Sequence, residues 1–219
     1  MFATVAVVAW LSLAGPADAA QPKAKKPNLF NTIEFKGKIT KLPKWSRVLS
    51  KMAAWKGYFQ DAAMAKLPSK SGWNKLKADT AGLDDMGKLK AVNAFFNQWP
   101  YRLDAGNYGR SDYWATPVEF LKKSGDCEDY AIAKFYALME LGFSQNDMRV
   151  VALKDRIRNI GHAVLAVYVG DDIFVLDNVT GMVLSHAKYK HYVPQYSVNE
   201  KFRWMHVPKS KKSSFKKKK

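Results

Sequence analysis

The only cysteine of the chain, Cys127, stands in "SGDCEDYAIAKFYALMELG", with Asp126 before it and Glu128 and Asp129 after it. A thiol attacks as thiolate, and neighbouring carboxylates oppose its ionisation. The stretch also opens a helix. Asp126 is placed to cap it, Ile132, Phe135, Tyr136 and Met139 form an apolar stripe, and Gly142 stands where a helix would end. A helix N-terminus favours the thiolate through its free N–H groups and its dipole. The bracketed cysteine is therefore half of an activated nucleophile. It still needs a base, and something to offset the carboxylates.

Four histidines could supply the base: His162, His186, His191 and His206. His186 and His191 lie in the polar stretch "SHAKYKH" and read as solvated, and His206 reads as an ordinary half-buried residue. His162 begins the apolar strand "HAVLAVYV" and is the favoured candidate. A hairpin loop of two or four residues around Gly170–Asp171 pairs His162 with Val179. Asp177 then lies diagonally on the same face, within reach of an imidazole. A three-residue loop would put Asp177 on the other face. The parity that suits Asp177 turns Asn178, the rival orienter, away. The expected site is Cys127 as nucleophile, His162 as base and then acid, and Asp177 fixing the imidazole tautomer. The backbone N–H of Cys127 is the natural oxyanion donor, with no second donor identifiable.

Helices followed by strands must position these groups, an α+β arrangement. "NLFNTIEFKGKI" reads as an irregular or short extended lead-in. "PKWSRVLSKMAAWKGYF" spaces Trp45, Val48, Leu49, Met52 and Trp55 as a helix does, with Pro43 at its start. "LPSKSGWN" reads as a loop by composition, and "MGKLKAVNAFFNQWP" as a helix stopped near Pro100. The aperiodic "YRLDAGNYGRSDYWATP" reads as a loop. "TPVEFLKKSG" carries a capping box, with Thr116 as cap, Pro117 in the first position and Glu119 reaching back. Strands follow over Met148–Asp155, His162–Val169 and Ile173–Asn178, with one or two more broken at Pro194.

The segments "DYWATPVEFLKKSGDCEDYAIAKFYALMELG", "GHAVLAVYV", "VLDN" and "VPQYSVNE" resemble the bacterial transglutaminase-like cysteine peptidases of the LapG type, periplasmic proteases that cleave adhesins. The resemblance runs from about "LFNTIEF" to Trp204. It implies a papain-like, transglutaminase-like fold, with N-terminal helices and a nucleophile-bearing helix packed on an antiparallel sheet. It also implies a Cys127–His162–Asp177 triad, matching the reading from the residues. A large surface adhesin would be the substrate, cut near its N-terminal region after a pair of small residues. An inner-membrane receptor responding to cyclic di-GMP would be the partner that sequesters the protease. The resemblance further implies Ca²⁺ beside the cysteine, at Asp126, Glu128 and Asp129. A hard cation there would offset the carboxylates; without the resemblance, the three read as a cap and dipole-favouring charges. Further ligands are sought in the Asp171–Asp172 loop.

The 219 residues carry 36 Lys and Arg against 19 Asp and Glu, a formal charge of +17. The excess is concentrated at the ends, in "QPKAKKP" and in "KSKKSSFKKKK". The folded part is only mildly basic, and the aromatic residues are not interleaved with the charge runs, which argues against nucleic acid. The tail could bind an acidic partner or anionic headgroups. The apolar run from Phe2, followed by Ala17-Asp18-Ala19, reads as a secretory signal segment over 1–19, although no Lys or Arg precedes it. The expected organisation continues with a basic linker over 20–27, one peptidase domain over 28–207 and a lysine-rich tail over 208–219. No other stretch approaches membrane-spanning length. Two rival readings keep the same residues: a transglutaminase that passes the acyl group to an amine, and a binding module that does no catalysis.

Overall fold

The structure, a computed structural model, describes residues 26–40, 42–54 and 69–209. The expected signal segment, most of the basic linker, Trp55 and the tail beyond Lys209 lie outside the described residues. The strands are β1 (Thr32–Lys38), β2 (Met148–Asp155), β3 (Ile160–Val169), β4 (Asp172–Leu176), β5 (Leu184–Ser185), β6 (Tyr192–Val198) and β7 (Phe202–Pro208), of which β3 is the richest in valine. They make one sheet in the order β1-β7-β6-β2-β3-β4-β5, with every pairing antiparallel. The helices are α1 (Pro43–Ala54), α2 (Ser69–Thr80), α3 (Asp85–Phe96), α4 (Asp104–Tyr108), α5 (Pro117–Lys123) and α6 (Cys127–Glu140).

Strand alternation divides the core. Leu165 and Val167 of β3 join the helix-side cluster, whereas Val164, Ala166 and Tyr168 join a second cluster with Val175, Tyr189 and Tyr192. β4 divides in the same way, with Leu176 on the helix side and Ile173 and Val175 on the other. His162 lies two residues before Val164, and Asp177 two beyond Val175. The period of the strands thus carries both toward the face that holds Tyr192.

Helix α6 is the central post. Every residue from Asp129 to Leu138 is buried, between β2 and β3 on one side and α3 and α5 on the other. Burial of Ile132, Phe135 and Leu138 stabilises the fold by about 1.5–3 kcal/mol each. The helix ends as its sequence requires. Phe143 N–H donates to Leu138 O at 3.0 Å and Gly142 N–H to Met139 O at 3.1 Å, with Gly142 at φ 96°. The α5 capping box forms as read: Thr116 N–H donates to Glu119 Oε2 at 2.8 Å and Glu119 N–H to Thr116 Oγ1 at 3.4 Å.

Four local expectations are corrected. The polar "SKSGWN" is the start of α2 rather than a loop, because Trp73 is fully buried against Phe95, at a ring separation of 6.1 Å. Tertiary packing there overrides loop-like composition. The lead-in is a full edge strand, with Thr32 paired to Pro208 and Lys38 to Phe202. Pro194 does not break β6. A shift of register between Ala152 and Leu153 absorbs it as a bulge. The aperiodic segment after Tyr101 contains the short helix α4.

Candidate active site

Cys127 is the first residue of α6, reached through a sharp corner from α5. Ser124 takes φ 64° there. A Cβ on Gly125 would come within 2.0 Å of Asp129 Oδ2, so only glycine lets the chain pass that carboxylate. The corner is tied to the preceding loop by Arg102 N–H donating to Gly125 O at 2.9 Å and Asn107 Nδ2 to Ser124 O at 3.1 Å. Asp129 ties it further, accepting from Ala115 N–H at 2.6 Å and from Asp126 N–H at 3.3 Å. Asp126 occupies the N-cap position, with Asp129 at the third helical position as in a capping box. The reach-back comes from Asp129.

The thiol donates to Glu128 Oε2 at 3.2 Å. Burial pushes its pKa well above the usual range, and the charge of Glu128 adds to that, while the N–H of Ala163 in β3 favours the thiolate.

The β3–β4 hairpin turns through the two residues Gly170–Asp171, Val169 pairing with Asp172 and Leu165 with Leu176. Gly170 supplies the left-handed φ of 57° that so short a turn needs. This is the even loop length that puts His162 and Asp177 on one face. His162 Nε2 lies 2.9 Å from Asp177 Oδ1. Asp177 is fully buried and His162 is 6% exposed. Val179 N–H donates to Asp177 Oδ1 at 3.1 Å, and Tyr192 donates its hydroxyl hydrogen to Asp177 Oδ2 at 2.6 Å. Burial alone would raise the Asp177 carboxyl, yet His162 and these donors bring it below its usual value. With Nε2–H given to Asp177, the free imidazole lone pair is on Nδ1. Asn178 makes no bond to His162, but lines the same cleft with Tyr101, Arg158 and His162.

The other histidines do structural work. His186 is not solvated: its Nδ1 accepts from Phe30 N–H at 2.8 Å, fixing the start of β1. His191 packs edge-on against Tyr192 at 4.4 Å. His206 is fully enclosed rather than half-buried, bonded to Thr32 Oγ1 at 2.9 Å and Ser197 Oγ at 2.8 Å. Burial lowers its pKa to about 4.

The carboxylates around Cys127 belong to a larger cluster than the sequence suggested. Ligand atoms of Asp104, Asp126 and Asp129 lie within 4.8 Å of one another, as do those of Asp104, Asp112 and Glu128. Burial raises Asp104 to about 6 and Asp129 to about 9, and raises Asp126, to which Glu128 adds its hydrogen bond and charge. Asp104 Oδ1 and Asp126 Oδ1 are buried with no hydrogen-bond partner. Asp171 and Asp172 are not part of this cluster; Asp172 accepts from Ser185 Oγ at 2.9 Å at the far end of the hairpin. Asp104 and Asp112 were hidden in the aperiodic loop, where spacing gave no signal.

Lys134 is another residue that spacing did not mark. It is fully buried in α6, with Nζ 2.7 Å from both Asn93 Oδ1 and Asn97 Oδ1. Asn97 Nδ2 in turn donates to Asp177 O and to Thr180 O, both at 2.9 Å. Burial lowers the lysine to about 7, against the opposing pull of Asp177.

A family model described as bacterial transglutaminase-like cysteine proteinase matches residues 50–212. Solved structures of Legionella pneumophila LapG align with the chain at 26% identity and a TM-score of 0.58. One covers 73% of this chain and 86% of that one. A calcium-bound form covers 75% and 91%, and an EGTA-treated form 73% and 84%. Comparison with curated protein sequences finds no match.

Proposed function

The chain belongs to the bacterial transglutaminase-like cysteine proteinases, and we propose that its peptidase chemistry runs on Cys127, His162 and Asp177. The observation that carries this reading is the buried His162–Asp177 pair at 2.9 Å, with Cys127 at the N-terminus of α6, which packs on the strand that bears His162. His162 Nδ1 takes the thiol proton, and Cys127 Sγ attacks the scissile carbonyl carbon. The oxyanion so formed is met by the Cys127 N–H at the positive end of α6. Collapse breaks the C–N bond, His162 passes its proton to the leaving amine, and a thioester remains. Water, deprotonated by His162, then attacks the thioester carbonyl. A carboxylic acid leaves and the thiol is restored. Asp177 holds the imidazole and stabilises its charged form throughout.

The cluster beside the thiol suits a hard divalent cation. Its donors are all carboxylate oxygens, and two of them are buried without a partner. Asp104, Asp126, Glu128 and Asp129 would hold Ca²⁺, with Asp112 at the rim. The ion would supply positive charge against the carboxylates that now oppose thiolate formation. The protein ties alone already fix the corner; Asp129 does so through Ala115 and Asp126.

The substrate is a polypeptide. Within the family, we assign the chain the role of a periplasmic protease that cuts a large surface adhesin near its N-terminal region, releasing it and promoting biofilm dispersal. A receptor governed by cyclic di-GMP would be its inner-membrane partner. Similarity to LapG and the signal-like first residues support this role. Among the described residues no helix is long and apolar enough to cross a membrane.

The test incubates an adhesin N-terminal fragment with the protein, with calcium or chelator, beside Cys127→Ala. Cleavage that needs both calcium and Cys127 is the expected result. Binding without cleavage would favour a binding module, and incorporation of an amine in place of hydrolysis would favour a transglutaminase.

A further inference from the structure

Apart from the acidic cluster, the fold gathers positive charge in a second place. Two adjoining hollows of 820 and 570 Å³ share Phe30, Asn31, Tyr192 and Lys209. Lys26 and Lys190 line the first, and Lys154 and Arg156 the second, and no residue lining either is acidic. Lys26 pairs with Asp147, and Asp172 lies 4.0 Å from His186, so the field there is partly offset. Arg156 and Lys190 are exposed, and neither side chain has a partner among the described residues.

Topology adds to this charge. Thr32 pairs with Pro208 at the open edge of the sheet, so the chain enters and leaves the domain side by side. The sequence before the entry contains Lys23, Lys25 and Lys26, and the sequence from Lys209 onward contributes seven lysines. Of the two basic stretches, the described residues Lys26 and Lys209 both line the first hollow, and a solvent-exposed field of one sign attracts a partner of the other.

We propose that this double hollow is a docking site for an acidic stretch of polypeptide, separate from the cleft that takes the scissile bond. Its shape favours a chain over a membrane. The cations surround a concavity floored by Phe30 and Tyr192, whose rings meet edge-on at 6.1 Å, whereas a bilayer presents a flat surface. The exposed apolar side chains of β1 and β7, Ile33, Phe35, Met205 and Val207, do not line it. An occupant would lie against Tyr192, whose hydroxyl holds Asp177.

The experiment uses the full chain without its signal segment and with Cys127→Ala, so that binding is read without proteolysis. Anisotropy of a short labelled poly-glutamate peptide is measured over a range of salt, with poly-glutamine as control. The expected result is salt-sensitive binding of poly-glutamate alone, weakened about tenfold by Arg156→Glu with Lys190→Glu. Thermal melting checks that the variant is folded, and Arg156→Gln with Lys190→Gln should give a smaller loss in the same direction. Unchanged affinity in both variants, with loss only on deleting residues 210–219, would assign binding to the tail and overturn the proposal. So would retention on phosphatidylglycerol vesicles that poly-glutamate does not compete away, or absence of poly-glutamate binding at low salt. None of these outcomes bears on the peptidase assignment, because the nucleophile is absent throughout.

Discussion

The hydroxyl of Tyr192 lies 2.6 Å from Asp177 Oδ2, on the oxygen that His162 leaves free. Burial, and then Asp177 itself, hold this phenol protonated well beyond the ordinary tyrosine range, so it remains a donor. Its ring also meets the His162 ring edge-on at 5.7 Å. Tyr192→Phe keeps the ring contact and removes only the donor. One hydrogen bond in the transition state corresponds to about 1–1.5 kcal/mol, so kcat/KM should fall about tenfold. An unchanged kcat/KM in Tyr192→Phe would mean that the residue serves the site through its ring packing alone.

Asp104 tests the carboxylate cluster by metal removal. Its Oδ1 is buried without a partner, and its carboxylate lies with those of Asp126 and Asp129. In chelator, Asp104→Asn should melt higher than the wild type, by about 2–4 °C, because one repelling charge is gone. Added calcium should raise the melting temperature of the wild type more than that of the variant, reversing their order. If calcium shifts both equally, Asp104 is not a ligand.

Glu119 offers a pH test away from the site. Burial would raise its carboxyl, but the Thr116 N–H, Lys51 and Arg47 bring it to about 2. Arg47 and Lys51 come from α1, so this carboxylate clamps α1 onto α5. A folded-state value below the unfolded one adds stability that is complete above about pH 4.5 and is lost as the pH falls toward 2. Discounted for partial exposure, the contribution is about 1–2 kcal/mol. Urea unfolding should find Glu119→Gln less stable than the wild type at pH 7, with the gap closing by pH 2. A gap independent of pH would point to lost packing rather than lost charge.

The parts of this molecule that repeat with a period were legible in the chain. The α6 stripe, the α5 capping box and the β3–β4 hairpin each follow from local spacing, and the hairpin parity alone brought Asp177 to His162. What escaped were residues whose setting is made by other elements. Asp104 opens the short helix α4 and Asp112 follows it, in a stretch whose sequence has no period, and only the α5–α6 corner folded against that stretch makes them neighbours of Glu128. Trp73 turned a polar stretch into a helix by finding Phe95. The single apolar stripe in the α6 sequence gives no sign of Lys134, because the sheet and two helices enclose the helix on both sides.

That enclosure makes Lys134 the sharpest test of how the site is held. Its ammonium bonds to two asparagine oxygens rather than to a carboxylate, and Asn97 passes the contact on to the main chain at Asp177. Burial lowers the folded-state value from 10.5 to about 7. Between those values the unfolded chain binds the proton and the folded one does not, so this group makes stability rise with pH across that window. The slope is at most about 1.4 kcal/mol per pH unit. Lys134→Met removes it and leaves the Asn93 and Asn97 oxygens without their donor, at a cost of about 1–3 kcal/mol for each buried group. Wild type minus variant, measured by urea unfolding, should therefore grow from pH 7 to pH 10. Catalysis should weaken as the 177–180 segment loses its anchor, with kcat falling more than KM changes. A difference that stays flat with pH would mean that the folded protein keeps the lysine charged at pH 10, contrary to what its burial dictates.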